Sequence, residues 1–196
     1  MRKTLARAAL VLGLTLTLSA CGSDGASTDT TTEVSTTEHN DADVAFATDM
    51  IQHHAQALAM VDLTIGRDLD PDVTALAEDI RAAQGPEIET MVDWLTDWNE
   101  PIPETVRDHA NAGHGDADHG DMPGMMSAED MAALEGASAA EFADMWLDMM
   151  IKHHEGAIEM AENEASEGQY KPAVDLAGDI VESQTAEIEK MEGLLS

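Results

Sequence analysis

The sequence predicts an all-α protein, a four-helix bundle assembled from two duplicated helical hairpins. Three observations predict it. Sliding the chain by 100 positions lays MIQHHAQALAM (residues 50–60) on the end of MMIKHHEGAIEM (residues 149–160), and the register then holds without a gap, with 16 identities over positions 50–95. Apolar residues recur at helical spacing in both halves, as Leu76, Ile80, Ala83, Ile88, Met91 and Leu95 and again as Leu176, Ile180, Ile188, Met191 and Leu195. No segment alternates as a strand would. Each hairpin has one apolar face that it cannot bury alone, so the two halves must dock.

The chain opens with Arg2, Lys3 and Arg7 before an apolar run over residues 8–18, too short to span a bilayer, and reaches Leu18-Ser19-Ala20-Cys21, which resembles a bacterial lipobox. Residues 1–20 are therefore expected to be a lipoprotein signal peptide and Cys21 the lipidation site. The protein is expected to be extracytoplasmic and anchored to the cell membrane by that lipid. Cys21 is the sole cysteine, which excludes intramolecular disulfides and thiolate metal sites. Residues 21–40 are rich in Ser, Thr, Gly and Asp and are expected to form a flexible tether. The bundle follows over residues 41–196, with halves at about 41–98 and 138–196 and a linker at 99–137.

Within the bundle the first helix is expected over residues 43–65, with Asp41 or Asp43 as N-cap and Gly66 as its stop. Asp70-Pro71, an N-cap followed by proline at the first helical position, starts the second helix, which runs to about Trp98. In the linker, Ser127 and Asp130 fit a capping box for a short helix over residues 128–134, while HANAGHGDADHGDMPGMM (residues 109–126) is expected to be irregular. Ser138 and Glu141 form a second capping pattern and place the third helix from 138 to Glu167, before Gly168. The fourth runs from Pro172 to Leu195.

Charge narrows the partners. Without Arg2, Lys3 and Arg7 the chain keeps 6 basic residues against 40 acidic ones. Such a field repels nucleic acid and anionic lipid headgroups and attracts metal cations; it equally suits plain solubility.

At about 100° per residue, measured from Met50, His53, His54, Ala57 and Met60 fall at about 300°, 40°, 340° and 280°, inside one arc of about 120°. Met150, His153, His154, Ala157 and Met160 repeat the arc, with Met149 one turn and Met145 two turns before His153. Gln84, Glu87 and Met91, with Gln184, Glu187 and Met191, lie at compatible spacing on the second and fourth helices. Imidazole with thioether suits a soft or borderline ion, above all copper, with Cu(I) favoured and Cu(II) the alternative. The chain contains no Glu-x-x-His, which removes the di-iron pattern of helical bundles. The candidate metal ligands are His53, His54, Met50, Met60, His153, His154, Met149, Met150 and Met160. His109, His114, His119, Met122, Met125 and Met126 form an accessory tract. The competing interpretation is that methionines fill a core poor in aromatics and the histidines pack among them.

The frames MIQHHAQALAM and MMIKHHEGAIEM, followed by AEDIRAAQGPEIETM and AGDIVESQTAEIEKM and joined through MPGMMSAEDMAAL, resemble the two halves of domain-of-unknown-function family 305, from about Asp43 to the end. The resemblance implies a ferritin-like four-helix bundle. Through the family's CopM-like branch it also implies an exported copper-binding protein, with His53, His54, His153, His154 and nearby methionines as ligands. One departure lies within the duplication: Ala55 and Gln56 stand where the second half has Glu155 and Gly156, so the halves need not bind metal equally. The function expected is copper sequestration or buffering without turnover. A non-metal envelope bundle and a copper or iron redox enzyme are the alternatives.

Overall fold

The computed structural model describes residues 33–107 and 122–195. The expected signal peptide, Cys21, His109, His114 and His119 lie outside the described residues. Helix α1 spans Asp41–Asp62, α2 Pro71–Trp98, α3 Ala128–Gly136, α4 Phe142–Glu167 and α5 Lys171–Leu194. Among the described residues there is no strand, and no helix is long and apolar enough to cross a membrane.

The hairpins α1–α2 and α4–α5 meet chiefly through α1 against α4, and the short α3 rests on α4. Burial divides the interior into two apolar clusters. One joins Ala57, Met60 and Val61 of α1 to Leu76 and Ile80 of α2 and to Phe142, Trp146, Leu147 and Met150 of α4. The other joins Phe46, Met50 and Ile51 to Met91, Leu95, Ala157, Ala161 and Ile180. The second half of α1 therefore packs on the first half of α4 and the first half of α1 on the second half of α4, so the two helices run antiparallel. Between the clusters the waist of the bundle is polar: His53, His54, His153, His154, Gln84 and Gln184 are all buried.

Side chains cap the N-termini of α1, α2 and α3. Asn40 caps α1, its Oδ1 accepting from the amides of Ala42 (2.9 Å) and Asp43 (3.1 Å). The N-cap is thus Asn40 rather than Asp41 or Asp43, because Asp43 is the reciprocal partner of a capping box, its Oδ2 accepting from the Asn40 amide at 2.6 Å. Fully buried, Asp43 also accepts from the amides of Gln169 (3.0 Å) and Tyr170 (2.8 Å) in the α4–α5 turn. Ser35, grouped by composition with the tether, is hydrogen-bonded to the same turn. Ser35 exchanges main-chain bonds with Gln169 and Lys171 at 2.6 Å, and His39 stacks on Trp98 at 4.4 Å.

Asp70 and Pro71 start α2 as the sequence predicts, with Asp70 Oδ1 accepting from the Asp72 amide at 2.8 Å. Ser127 and Asp130 form the expected capping box of α3. Two boundaries move. Helix α1 ends at Asp62, where the amides of Thr64 and Ile65 turn back to the carbonyls of Val61 and Asp62, and Gly66 (φ +80°) lies in the loop beyond. Helix α4 starts at Phe142 rather than at 138. The Ser138 hydroxyl donates to the Glu141 carboxylate at 2.6 Å and stabilises a preceding turn instead of capping the helix.

Scarce cations close the remaining junctions. Arg67 donates to the carbonyls of Leu63, Glu135 and Ala137 and lies 3.8 Å over the Phe142 ring, fastening the α1–α2 loop to the end of α3 and the start of α4. The indole of Trp146 donates to the Met60 carbonyl at 3.0 Å, satisfying an acceptor near the end of α1 that has no helical donor left.

Beside Asp43, the buried Glu164 carboxyl receives no hydrogen bond from any protein donor. Burial first, then the hydrogen bond and charge of Asp43, push Glu164 up to about 8. A carboxyl whose pKa is raised on folding holds its proton in the folded chain after the unfolded chain has lost it, so its contribution is present below about pH 4.5 and is lost as pH rises through about 8. Glu164→Gln should accordingly raise stability at pH 8 by roughly 1–2 kcal/mol, with the gain vanishing toward pH 4. Thermal melts at the two pH values check this, and equal effects at both would refute the assignment. Asp43→Ala should cost roughly 2–4 kcal/mol, because it strands three partly buried amides; urea unfolding measures it.

Candidate metal centre

The histidine pairs sit mid-helix, where residues i and i+1 diverge by about 100° around the axis. One ring of each pair consequently points across the α1–α4 seam and the other toward its own hairpin partner. Across the seam the rings of His53 and His153 meet, with centroids 3.7 Å apart and planes tilted by 41°. Within the hairpins, His54 Nε2 donates to Glu87 Oε2 at 2.7 Å and His154 Nε2 to Glu187 Oε2 at 2.8 Å. The two contacts are equivalent under the 100-residue repeat, so the waist has an approximate two-fold arrangement.

All four rings are fully buried, and each leaves nitrogen unpaired. Nδ1 of His53, His54 and His154 and both nitrogens of His153 have no protein partner. His53 Nε2 donates to the Pro123 carbonyl at 3.0 Å, and a carbonyl only accepts, so Nδ1 carries the lone pair. In the neutral form of His54 and His154 the same logic gives the Nε2–H tautomer and leaves Nδ1 with the lone pair. A carboxylate behind an imidazole is the arrangement that orients histidine toward a metal and raises its basicity. Burial, then the neighbouring His54, pushes His53 down to about 3 against the pull of the Pro123 carbonyl. Burial and the adjacent imidazoles, His53 foremost, hold His153 well below the usual histidine range. These two rings are neutral at physiological pH, the form that binds metal.

The methionines separate into three places. Met50, Met60 and Met150 are fully buried in the apolar clusters. Met160 lines a cleft of about 200 Å³ with Phe46, Asp49 and Glu164. Met149 joins Met125 and Met126 around a cleft of about 470 Å³. Met122 precedes this last pair, and residues 122–126 lie as a strap over the α1–α4 seam. Met126 exchanges two hydrogen bonds with the buried Gln56, amide to Oε1 at 2.7 Å and Nε2 to carbonyl at 2.9 Å. Among the described residues no three His, Cys, Asp or Glu side chains are grouped to hold an ion by themselves. An ion at the waist would therefore need a thioether, main-chain oxygen or water beside the imidazoles.

Glu87, Glu187, Gln56 and Pro123 were not among the sequence's candidate ligands. The repeat itself marks Glu87 and Glu187, which recur with the histidines at a constant separation of 33 residues. Nothing in the sequence pairs Gln56 or Pro123 with the site, because their contacts span 70 residues.

The family model described as a domain of unknown function, DUF305, matches residues 43–195. No protein of curated function matches the chain. Among solved structures, the chain is similar to a candidate secreted DUF305 protein of Streptomyces coelicolor (32% identity, TM-score 0.67, covering 79% of this chain and 91% of that one). It is likewise similar to a DUF305 fragment from Deinococcus radiodurans (30% identity, TM-score 0.67, 80% and 96% covered). CopM in its Cu(I)-bound form is also similar (27% identity, TM-score 0.62, 78% and 94% covered).

The neutral rings make a pH prediction. A histidine whose pKa is lowered on folding contributes stability that is present above about 6.5 and is lost as pH falls toward about 3. In the metal-free protein, the imidazole C–H resonances of His53 should stay fixed between pH 8 and pH 4. Movement centred near 6.5 would contradict the burial described.

Proposed function

Since the chain belongs to the DUF305 family, whose model matches residues 43–195, we propose that it is an extracytoplasmic copper-binding protein that sequesters or buffers the ion without turnover. The observation that carries this reading is the waist itself: four buried imidazoles with unpaired ring nitrogen, two of them oriented by Glu87 and Glu187. A packing role alone would leave that nitrogen desolvated without return, at a cost on the order of 1–3 kcal/mol for each atom. The solved CopM forms carrying Cu(I), Cu(II) and silver support copper for a relative of the same fold.

His53, His54, His153 and His154 would supply nitrogen. Of the thioethers, Met149 and Met125 border open space, whereas Met50, Met60, Met126 and Met150 would have to leave apolar packing. Bound copper supplies a soft Lewis acid that imidazole and thioether satisfy without a thiolate. Glu87 and Glu187 hold the tautomer, the apolar clusters above and below exclude water, and the acidic surface raises the local cation concentration. Lipidation at Cys21 would keep this capacity at the membrane.

Anaerobic Cu(I) competition against a chromogenic chelator tests the reading. His53→Ala with His153→Ala should weaken binding at least roughly a hundredfold, and Glu87→Gln with Glu187→Gln roughly 10–100-fold. Unchanged affinity in the double histidine variant would remove the waist as the site.

A further inference from the structure

The strap at residues 122–126 is fastened on both sides of the seam by different means. On α1 it is latched by Gln56, 3% exposed, through the reciprocal pair of bonds to Met126. On α4 it is seated on Gly156: a Cβ there would lie 2.1 Å from the Pro123 oxygen and 2.6 Å from the Gly124 nitrogen. Gly124 itself has φ +73°, and a Cβ on it would lie 2.6 Å from the Lys152 carbonyl. Repeat positions 56 and 156 thus carry complementary halves of one device, a side chain long enough to grip the strap and an absence of side chain that lets it lie flat. Beneath it are the His53–His153 ring pair and the Pro123 bond to His53. Outside it opens the cleft lined by Met125, Met149, Glu155 and Glu159.

We propose that the 122–126 strap is a gate over the histidine waist, latched by Gln56 and seated on Gly156, through which cations pass to His53 and His153. Only the nature of the traffic rests on the copper reading; the gate is a statement about access. Opening removes the Pro123 carbonyl from His53 and uncovers the seam without unfolding either helix. The latch is two neutral hydrogen bonds, so it opens locally at far less cost than the bundle.

The test uses the full metal-free chain and two probes. Carbethoxylation by diethyl pyrocarbonate, mapped by peptide mass spectrometry, reports the access of a small electrophile to the unpaired ring nitrogens, and stopped-flow uptake of Ag(I) reports cation entry. Gln56→Ala should raise the carbethoxylation rate of His53 and His153 on the order of tenfold, and Ag(I) uptake by a similar factor, because it strands both strap bonds. Gly156→Ala should do the same from the opposite side while favouring the α4 helix itself. In the unaltered chain the Met126 amide should exchange its hydrogen well ahead of the helical amides around His53.

Unchanged carbethoxylation in both variants, or Met126 exchange at the global unfolding rate, overturns the gate. Faster carbethoxylation with unchanged Ag(I) uptake also overturns it as the cation's route. If the unaltered chain takes up neither Ag(I) nor Cu(I), the metal reading falls, and carbethoxylation alone still decides the gate.

Discussion

Four imidazoles enclosed at the centre of a helical bundle are the constraint to which the rest of this structure answers. A buried polar nitrogen without a partner costs as much as a sizeable apolar contact gains, and five such ring atoms lie at the waist. The fold meets that cost by concentrating it. Apolar clusters on either side exclude water and fill with methionine, leucine and isoleucine, while carboxylates on α2 and α5 take one nitrogen from each outward-turned ring. On the proposed function, the unpaired nitrogens that remain would form a preorganised donor set. Burial also keeps His53 and His153 neutral, so this ring pair resists protonation where an exposed histidine would charge.

Duplication supplies this arrangement, and its imperfections make it usable. Antiparallel packing of α1 on α4 brings equivalent residues of the two halves together, so one His-His motif written twice becomes one four-imidazole layer. A strictly symmetric layer would be covered identically on both helices. Divergence at Gln56 and Gly156 instead allows a single strap to cross the seam, gripped by the amide and resting against the glycine. The difference between the halves thus lies where the strap touches each helix.

The acidic surface leaves few cations for structural work, and the arginines among the described residues are used at junctions. Arg67 satisfies three carbonyls, while Arg81 and Arg107 each take one oxygen of Asp62. At the opposite end the fastening is done by a carboxylate accepting main-chain amides, Asp43, whose neighbour Glu164 keeps its proton. Excess negative charge is tolerated because the exposed carboxylates stand in water, where screening reduces their repulsion.

All five helices were legible in the sequence, because helical periodicity, Asp70-Pro71 and the Ser127/Asp130 box act over a few residues. The family relation was legible as well, since the motif and its repeat survive as letters. Cap positions near Asn40 and Phe142 were misplaced because Asp43 and Ser138 have two available partners, and only the surrounding chain selects one. The phase of His53 and His153 showed that they face inward; it could not show that they face each other. That required the choice of α1 against α4, made by how two apolar faces fit. The division of the methionines into core and cleft, the pairing of Gln56 with Met126 and the seat on Gly156 also belong to tertiary structure, because each joins residues far apart in the chain. The sequence by itself determined the elements, their duplication and a nitrogen–sulfur composition, through rules that operate within a turn or a repeat. Tertiary structure alone decided which of those atoms meet, because that depends on packing between helices.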